Sequence, residues 1–288
     1  QVWATDAVSN AGTVVTSTFT FDVTFPTSLV TTPANSTRLN SLLTISGTAA
    51  DTSPGSVASV QVQITSGPMY NTYWDGISAW VGGVTWLNAS GAATWTLSGS
   101  SGPVWVTNSS YTVKSRAQDT AGNVEVPGAG NTFTFDTTAP GQPAAPGITN
   151  PWTDGKLNLN WAANTETDLK DYQVRRASYS GSADVDMVVA ATILAPGATH
   201  QDGGLANGTT YYYKLIARDT AGNASVFGFQ NWGTPGQDLT APLAGVTSPA
   251  ANAFINGLPT ISGTSSDGQS GVTTVSLRVL RTSDNYYW

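Results

Sequence analysis

The 288-residue chain has no cysteine and a single histidine, His200. The first absence removes disulfides, thiolate metal sites and thiol nucleophiles together. The second rules out a multi-histidine metal site and leaves one candidate base for a Ser-His-Asp arrangement. Charge is sparse: Asp, Glu, Lys and Arg make up 10% of the residues, against about 25% in an average soluble domain. Glutamate occurs only at Glu125 and Glu166, lysine only at Lys114, Lys156, Lys170 and Lys214. Helices are usually built from Ala, Leu, Glu, Lys and Arg, so this scarcity argues against a helical protein. Eleven basic against eighteen acidic side chains give a net charge of −7. No basic surface exists to neutralise phosphates, which argues against nucleic acid as a partner. No apolar run of about 18 residues occurs, so no membrane insertion is expected of this segment. The chain opens on Gln1 without a basic n-region or an apolar h-region, and reads as a piece of a longer polypeptide.

What the chain has instead is Ser and Thr, about a quarter of it, and 40% hydrophobic residues including ten Trp, ten Tyr and eight Phe. That is too apolar for disorder and enough to fill real cores. Internal repeats organise it. Ala4-Thr5-Asp6-Ala7-Val8-Ser9-Asn10 corresponds to Ala117-Gln118-Asp119-Thr120-Ala121-Gly122-Asn123 and to Ala217-Arg218-Asp219-Thr220-Ala221-Gly222-Asn223. Phe19-Thr20-Phe21-Asp22 reappears as Phe133-Thr134-Phe135-Asp136. Thr44-Ile45-Ser46-Gly47-Thr48 with Asp51 reappears as Thr260-Ile261-Ser262-Gly263-Thr264 with Asp267. Asp22 and Asp238, each followed by a proline joint, are separated by that same interval, and Asp136 divides it into a longer and a shorter part. One kind of unit is therefore followed by a second, shorter kind, after which the first begins again.

Within the units, apolar and polar residues alternate. Val60, Val62 and Ile64 face one way and Gln61 and Gln63 the other; Leu157, Leu159 and Trp161 alternate with Asn158 and Asn160. Tyr111, Val113 and Ser115, and Tyr211, Tyr213 and Leu215, follow the same rule. Strict alternation with frequent turn residues predicts short antiparallel strands. Roughly seven per hundred residues is the pattern of a β-sandwich. The fold class expected is all-β, with tandem sandwiches in an elongated array.

The shorter unit resembles a fibronectin type III domain. Carrying the resemblance are Pro143 and Pro146, the strand Leu157-Asn158-Leu159-Asn160-Trp161, the stretch Asp168 to Ala177, and Leu205-Ala206-Asn207-Gly208-Thr209-Thr210-Tyr211. The resemblance implies that Trp161 anchors the core and that Leu205 and Tyr211 form a tyrosine corner. The longer unit resembles bacterial Ig-like repeats of large surface and secreted proteins, through Ile-Ser-Gly-Thr-x-x-Asp, Val-x-Val-x-Ile, Tyr73-Trp74-Asp75-Gly76 and Asp-x-Ala-Gly-Asn. Such repeats serve as spacers, stalks or adhesive modules. The division expected is 1–21, last strands of an Ig-like domain; 22–137, a complete one; 138–237, the fibronectin-like domain; 238–288, first strands of another Ig-like domain. Gln1 aligns with Lys114 and Trp288 with Trp74, so both terminal segments lack the equivalents of 75–113. A half-sandwich exposes an apolar face and open edges. Either both segments continue in a longer chain, or they are completed by strand exchange between neighbouring copies.

Two sets of residues are candidate sites. The Asp-x-Ala-Gly-Asn phrases read as turns, with Gly122 and Gly222 supplying positive φ and Asp119 and Asp219 bonding nearby amides. The lesser alternative is that they are parts of calcium sites at the domain joints, where Asp22, Asp136 or Asp238 meets Asp51, Asp119, Asp219 or Asp267; calcium takes six to eight oxygens. The second set is Trp74, Trp80, Trp86, Trp95 and Trp105, preceded by Tyr70 and Tyr73. These read as core and edge cover, as a protein contact, or as a stacking platform for sugars on Trp74, Trp80 and Trp86. Asn-x-Ser/Thr sequons at Asn35, Asn88, Asn108, Asn207 and Asn223 are as expected of so Ser/Thr-rich a chain. Asp168/Asp171 and Asp184/Asp186 are carboxylate pairs in expected loops or strand edges, and His200 is expected in a turn. No phosphate loop, nucleophile elbow or metal motif occurs. The sequence thus predicts a non-catalytic structural segment of an extracellular or cell-surface fibre or stalk, with no cofactor unless calcium. Neighbouring repeats or copies are the expected partners. An adhesin or glycan-binding accessory region, with surface glycans as partner, and a filament completed by strand exchange are the alternatives.

Overall fold

A computed structural model describes residues 1–67, 72–98, 102–179, 181, 184–257, 260–281 and 286–287. Tyr70 and Trp288 fall outside this set. The described residues form strands joined by turns and irregular segments, and no helix among them is long and apolar enough to cross a membrane. The chain divides into two compact units, residues 1–138 with 220–223, and 139–219 with 224–288.

In the first unit the strands are β1 (Thr27–Thr32), β2 (Thr37–Leu39), β3 (Thr44–Ala50), β4 (Val57–Ser66), β5 (Thr72–Trp74), β6 (Trp80–Val81), β7 (Leu87–Asn88), β8 (Ser90–Gly91), β9 (Thr94–Ser98), β10 (Ser109–Asp119) and β11 (Asn131–Phe135). One sheet runs β1-β3-β9-β8; the other runs β2-β11-β10-β4-β5-β6, with β7 also on β4. The predicted alternation closes the core: Val60, Val62 and Ile64 on β4 and Tyr111, Val113 and Ala117 on β10 are at most 3% exposed. Ile45, Trp74, Trp95 and Phe133 complete it. Gly47, in the repeated Ile-Ser-Gly-Thr phrase, sits under an indole. A Cβ there would lie 2.2 Å from Cζ2 of Trp95 and 2.0 Å from the Leu29 carbonyl oxygen, so only glycine fits.

The second unit holds β12 (Gly147–Thr149), β13 (Leu157–Asn160), β14 (Leu169–Ala177), a 3-10 turn at Asp184–Asp186, β15 (Val188–Leu194), β16 (Thr199–Asp202), β17 (Tyr211–Asp219) and β18 (Asn231–Gly233). Three strands, β12-β13-β16, face four, β15-β14-β17-β18. This three-plus-four sandwich has the architecture expected of a fibronectin type III domain. Trp161 is buried with its ring edge-on to Tyr172 at 5.4 Å. The Tyr211 hydroxyl accepts the Ala206 amide at 3.0 Å, forming the expected tyrosine corner. The first sandwich carries a matching device that the residues did not reveal: the Tyr111 hydroxyl accepts the Val106 amide at 2.9 Å. His200 is not in a turn. It lies in β16 opposite Leu159, because the strand continues to buried Asp202 and the glycine turn begins only at Gly203.

The terminal segments show what a sandwich face looks like without its second sheet. Residues 1–21 form a loose hairpin bridged at Val2↔Val15 and Thr5↔Ala11. Phe19 is 88% exposed, whereas its repeat equivalent Phe133 is 2% exposed. β19 (Leu243–Ser248) pairs with β20 (Ser262–Ser266) in the register of β1 with β3, bulge included, but every one of their residues is exposed. β21 (Leu280–Arg281) and β22 (Tyr286–Tyr287) follow.

Candidate functional site

The Asp-x-Ala-Gly-Asn phrase folds as a turn in each copy where its bonds are described. Asp119 Oδ1 accepts the Asn123 amide and Oδ2 accepts the Asn123 side-chain amide, both at 2.8 Å. Asp6 does the same for Asn10 at 2.9 and 2.8 Å. Gly122 and Gly222 have φ of 97° and 96°, a region open to glycine at no steric cost.

The turn also gathers acidic partners. Asn123 Nδ2 donates to the Asp22 carbonyl oxygen at 3.2 Å, drawing the segment before β1 against the end of β10. One carboxylate oxygen from each of Asp22, Asp51 and Asp119 then lies within 4.8 Å of the other two. Asp119 is 2% exposed. Asp22 Oδ1 accepts the Thr24 amide and hydroxyl, and Asp51 Oδ1 accepts the Thr52 amide. Oδ2 of Asp22 and Oδ2 of Asp51 are buried and accept nothing. Both point toward Gly55, where a Cβ would lie 2.1 Å from Asp51 Oδ2 and 2.4 Å from Asp22 Oδ2. Without a cation, like charges this close repel.

The other two joint aspartates have their own settings. Asp136 is 1% exposed, accepts the Thr138 amide at 2.9 Å and lies 3.5 Å from Arg38. Asp238 accepts the Thr240 and Ser270 amides at 2.8 and 3.0 Å. Hydrogen bonds from Ser270 and from the Thr240 backbone hold its carboxyl below the ordinary range. Asp267 Oδ1 accepts three successive amides, of Gln269, Ser270 and Gly271, while its Oδ2 is buried without a partner.

The tryptophans form a stack on the core rather than an open platform. Trp74 and Trp95 are buried at 5% and 1%, so Trp74 is a core residue and offers no face to a ligand. Trp80 meets Trp74 edge-on and stacks on Tyr111, both at 5.6 Å. Trp105 is edge-on to Tyr111 and Phe133. Trp86 has the Arg116 guanidinium 4.2 Å from its ring centroid, an arrangement that Arg116 anchors by two bonds to Gln61 Oε1. The placement follows from β5 and β6, which set Trp74 opposite Trp80 across a tight hairpin. An open groove of about 520 Å³ lies beside Trp80, lined by Thr72, Val106, Asn108 and Tyr111.

The hairpin is held by Asp75, whose Oδ1 accepts the amides of Ile77, Ser78 and Ala79 at 2.8, 2.8 and 3.1 Å. Those bonds, from Ala79 first, lower its pKa. A carboxyl depressed in the folded state contributes stability above its unfolded pKa of about 3.9 and loses it as pH falls through the folded value. Asp75→Ala is expected to speed hydrogen exchange at these three amides at pH 7. The difference from wild type should shrink as the pH falls below the unfolded value and through the folded one, as read by exchange at several pH values.

In the second unit one member of each carboxylate pair meets a cation, and so does Asp202. Asp171 lies in β14, buried at 2%, and takes Arg218 through two bonds of 2.7 and 2.8 Å. Asp184 meets Lys214 Nζ at 2.6 Å. Asp202 is 5% exposed; both its oxygens lie 2.8 Å from Arg176 Nη1, and Tyr213 donates to Oδ2 at 2.7 Å. Burial and the Asp202 carboxylate push the Tyr213 phenol above its ordinary range, so it stays a donor.

No family model matches the chain. Among curated proteins, Exoglucanase B of Cellulomonas fimi is 37% identical over 142 residues, 47% of this chain and 12% of that protein. Endoglucanase B of Cellulomonas fimi is 34% identical over 126 residues, 41% of this chain and 11% of that protein. Chitinase C of Streptomyces lividans is 39% identical over 84 residues, 29% of this chain and 11% of that protein. The chain thus spans about a tenth of the length of the curated relatives it matches. Among solved structures, the fibronectin(III)-like modules of Clostridium thermocellum CbhA are 11% identical, with 73% of this chain and 95% of theirs covered and a TM-score of 0.44. The sixth fibronectin type III domain of human fibronectin type III domain containing protein 3 is 24% identical, with 36% and 93% covered and a TM-score of 0.30.

Proposed function

We propose that the chain is a non-catalytic β-sandwich segment of an extracellular protein, serving as spacer or accessory region beside the domains that do the chemistry. The observation that carries this is the small share of each relative that matches. Proteins named for action on glucan or chitin share with this chain only 11–12% of their length. The sandwiches support the reading. Two of their buried acids, Asp171 and Asp202, are each matched to an arginine, which leaves these two as stabilisers rather than as acid or base. Proline joints at Pro26, Pro140 and Pro242 fix φ and limit slack between successive units. The sparse, net acidic charge keeps a Ser/Thr-rich array soluble.

The full chain incubated with cellulose and with chitin should release no soluble sugar and stay in the supernatant on sedimentation. Release of sugar overturns the non-catalytic reading. A second reading, glycan binding, rests on the groove beside Trp80. Sedimentation with either polymer that is lost in Trp80→Ala would establish it in place of the spacer role.

A further inference from the structure

We propose that β20 is an acceptor edge for an extended strand of a partner polypeptide, one that carries a tryptophan between threonines. The first sandwich supplies the template. There β3 is paired on both sides, with β1 and with β9, and Gly47 stands opposite Trp95 of β9. The indole occupies the space above Gly47, 2.2 Å from where a Cβ would lie. β20 repeats β3: Gly263 is the equivalent of Gly47, and β19 pairs beside it in the register of β1. On its other edge β20 meets no strand among the described residues. The backbone cradle at Gly263 is the same, with the Gly245 carbonyl oxygen 2.1 Å from a Cβ there, against 2.0 Å for the Leu29 oxygen at Gly47. The next nearest atoms are backbone of Gly245 and Val246 rather than a ring. Beside Gly263 lies an open cleft of about 380 Å³, lined by Val246, Ile261, Val275 and Leu277.

The lining of the cleft says what fits it. Val246 and Ile261 are the equivalents of Val30 and Ile45, and Val275-Ser276-Leu277-Arg278-Val279 repeats the alternation of Val60-Gln61-Val62-Gln63-Ile64. In the first sandwich these positions share one core with Trp95, whereas Val246, Val275 and Leu277 are exposed. A free strand edge offers main-chain hydrogen bonds to any extended peptide, and the pocket beside it selects the side chain that points inward. A broad apolar ring with one N–H donor suits this pocket. Trp95 Nε1 donates to the Thr48 carbonyl oxygen at 3.2 Å, and Thr264 carries the equivalent carbonyl. Threonines on either side of the tryptophan, as in β9, favour the extended backbone and a polar outer face. The donor is a separate polypeptide rather than a second copy of this chain. Trp95 is 1% exposed, so a copy could lend its β9 only by opening its own core.

Fluorescence anisotropy of a labelled synthetic peptide with the sequence of residues 91–98, titrated with the full chain, tests this. Saturable binding is expected, with slower hydrogen exchange at the amides of β20. The same peptide with Trp95→Ala should bind at least about tenfold more weakly, since a buried aromatic anchor dominates such contacts. Leu277→Asp in the full chain puts a charge into the cleft from an exposed position, leaves both closed cores untouched, and should weaken binding as much. Leu194→Asp, exposed on β15 and not part of the cleft lining, should leave affinity unchanged. No binding at concentrations up to about 1 mM overturns the proposal. Equal affinity for the tryptophan and alanine peptides, or unchanged affinity in Leu277→Asp, overturns it as well. Self-association of the full chain in analytical sedimentation that is lost in Leu277→Asp and that the peptide does not displace would assign the edge to a second copy and overturn the partner strand.

Discussion

Trp95→Ala is expected to lower the stability of the sandwich formed by β1–β11 by about 3–5 kcal/mol, within the range for deleting a fully buried large aromatic. The indole is 1% exposed, and its Nε1 donates to the Thr48 carbonyl oxygen at 3.2 Å. Its six-membered ring occupies the place that Gly47 leaves by having no side chain. Removing it therefore opens a void against two β-strands that cannot collapse, since β3 is fixed on one side by β1 and on the other by β9. The Thr48 carbonyl loses its side-chain donor as well. Chemical denaturation followed by the signal of the remaining tryptophans reads the change. A loss under about 1 kcal/mol would show that the strands close over the gap.

Asp202→Ala should cost the second sandwich about 3 kcal/mol, and Tyr213→Phe only about 1–2 kcal/mol. The difference follows from what each change leaves behind. Without the carboxylate, the Arg176 guanidinium and the Tyr213 hydroxyl both lose their partner in a region where Tyr213 is fully buried. Arg176 keeps 27% of its side chain in contact with solvent, which holds the cost at the lower end for a broken buried pair. Without the hydroxyl, Asp202 still holds Arg176 through both oxygens. Urea denaturation of both variants measures the order; Tyr213→Phe proving the more damaging would contradict it.

Much of this fold was legible because its strands obey period two and its repeated phrases recur recognisably along the chain. Leu157, Leu159 and Trp161 point into the core as their alternation requires, and Tyr211 closes the corner that the fibronectin type III resemblance implied. The Asp-x-Ala-Gly-Asn turn was legible because glycine at positive φ and an Asp that caps its own loop are both local effects. Long-range pairings were not. Nothing adjacent in sequence ties Asp202 in β16 to Arg176 in β14, on the facing sheet, so His200 beside it looked like a turn residue. The tryptophan cluster was open for a similar reason: in sequence it read as core and edge cover, as a protein contact or as a platform. Whether a ring faces water depends on which strand it pairs with, and the pairing of Trp74 with Trp80 against Tyr111 is set by the sheet. Candidate ligands Asp22, Asp51 and Asp119 could be named from the repeats, but the two unpartnered oxygens beside Gly55 became visible only in three dimensions.

Scanning calorimetry of the full chain, with Trp95→Ala and Asp202→Ala beside it, tests most directly that the chain is made of separate sandwiches, each closed on its own core. Two transitions are expected, one lowered by Trp95→Ala alone and the other by Asp202→Ala alone. A single transition lowered by both substitutions would contradict separate cores.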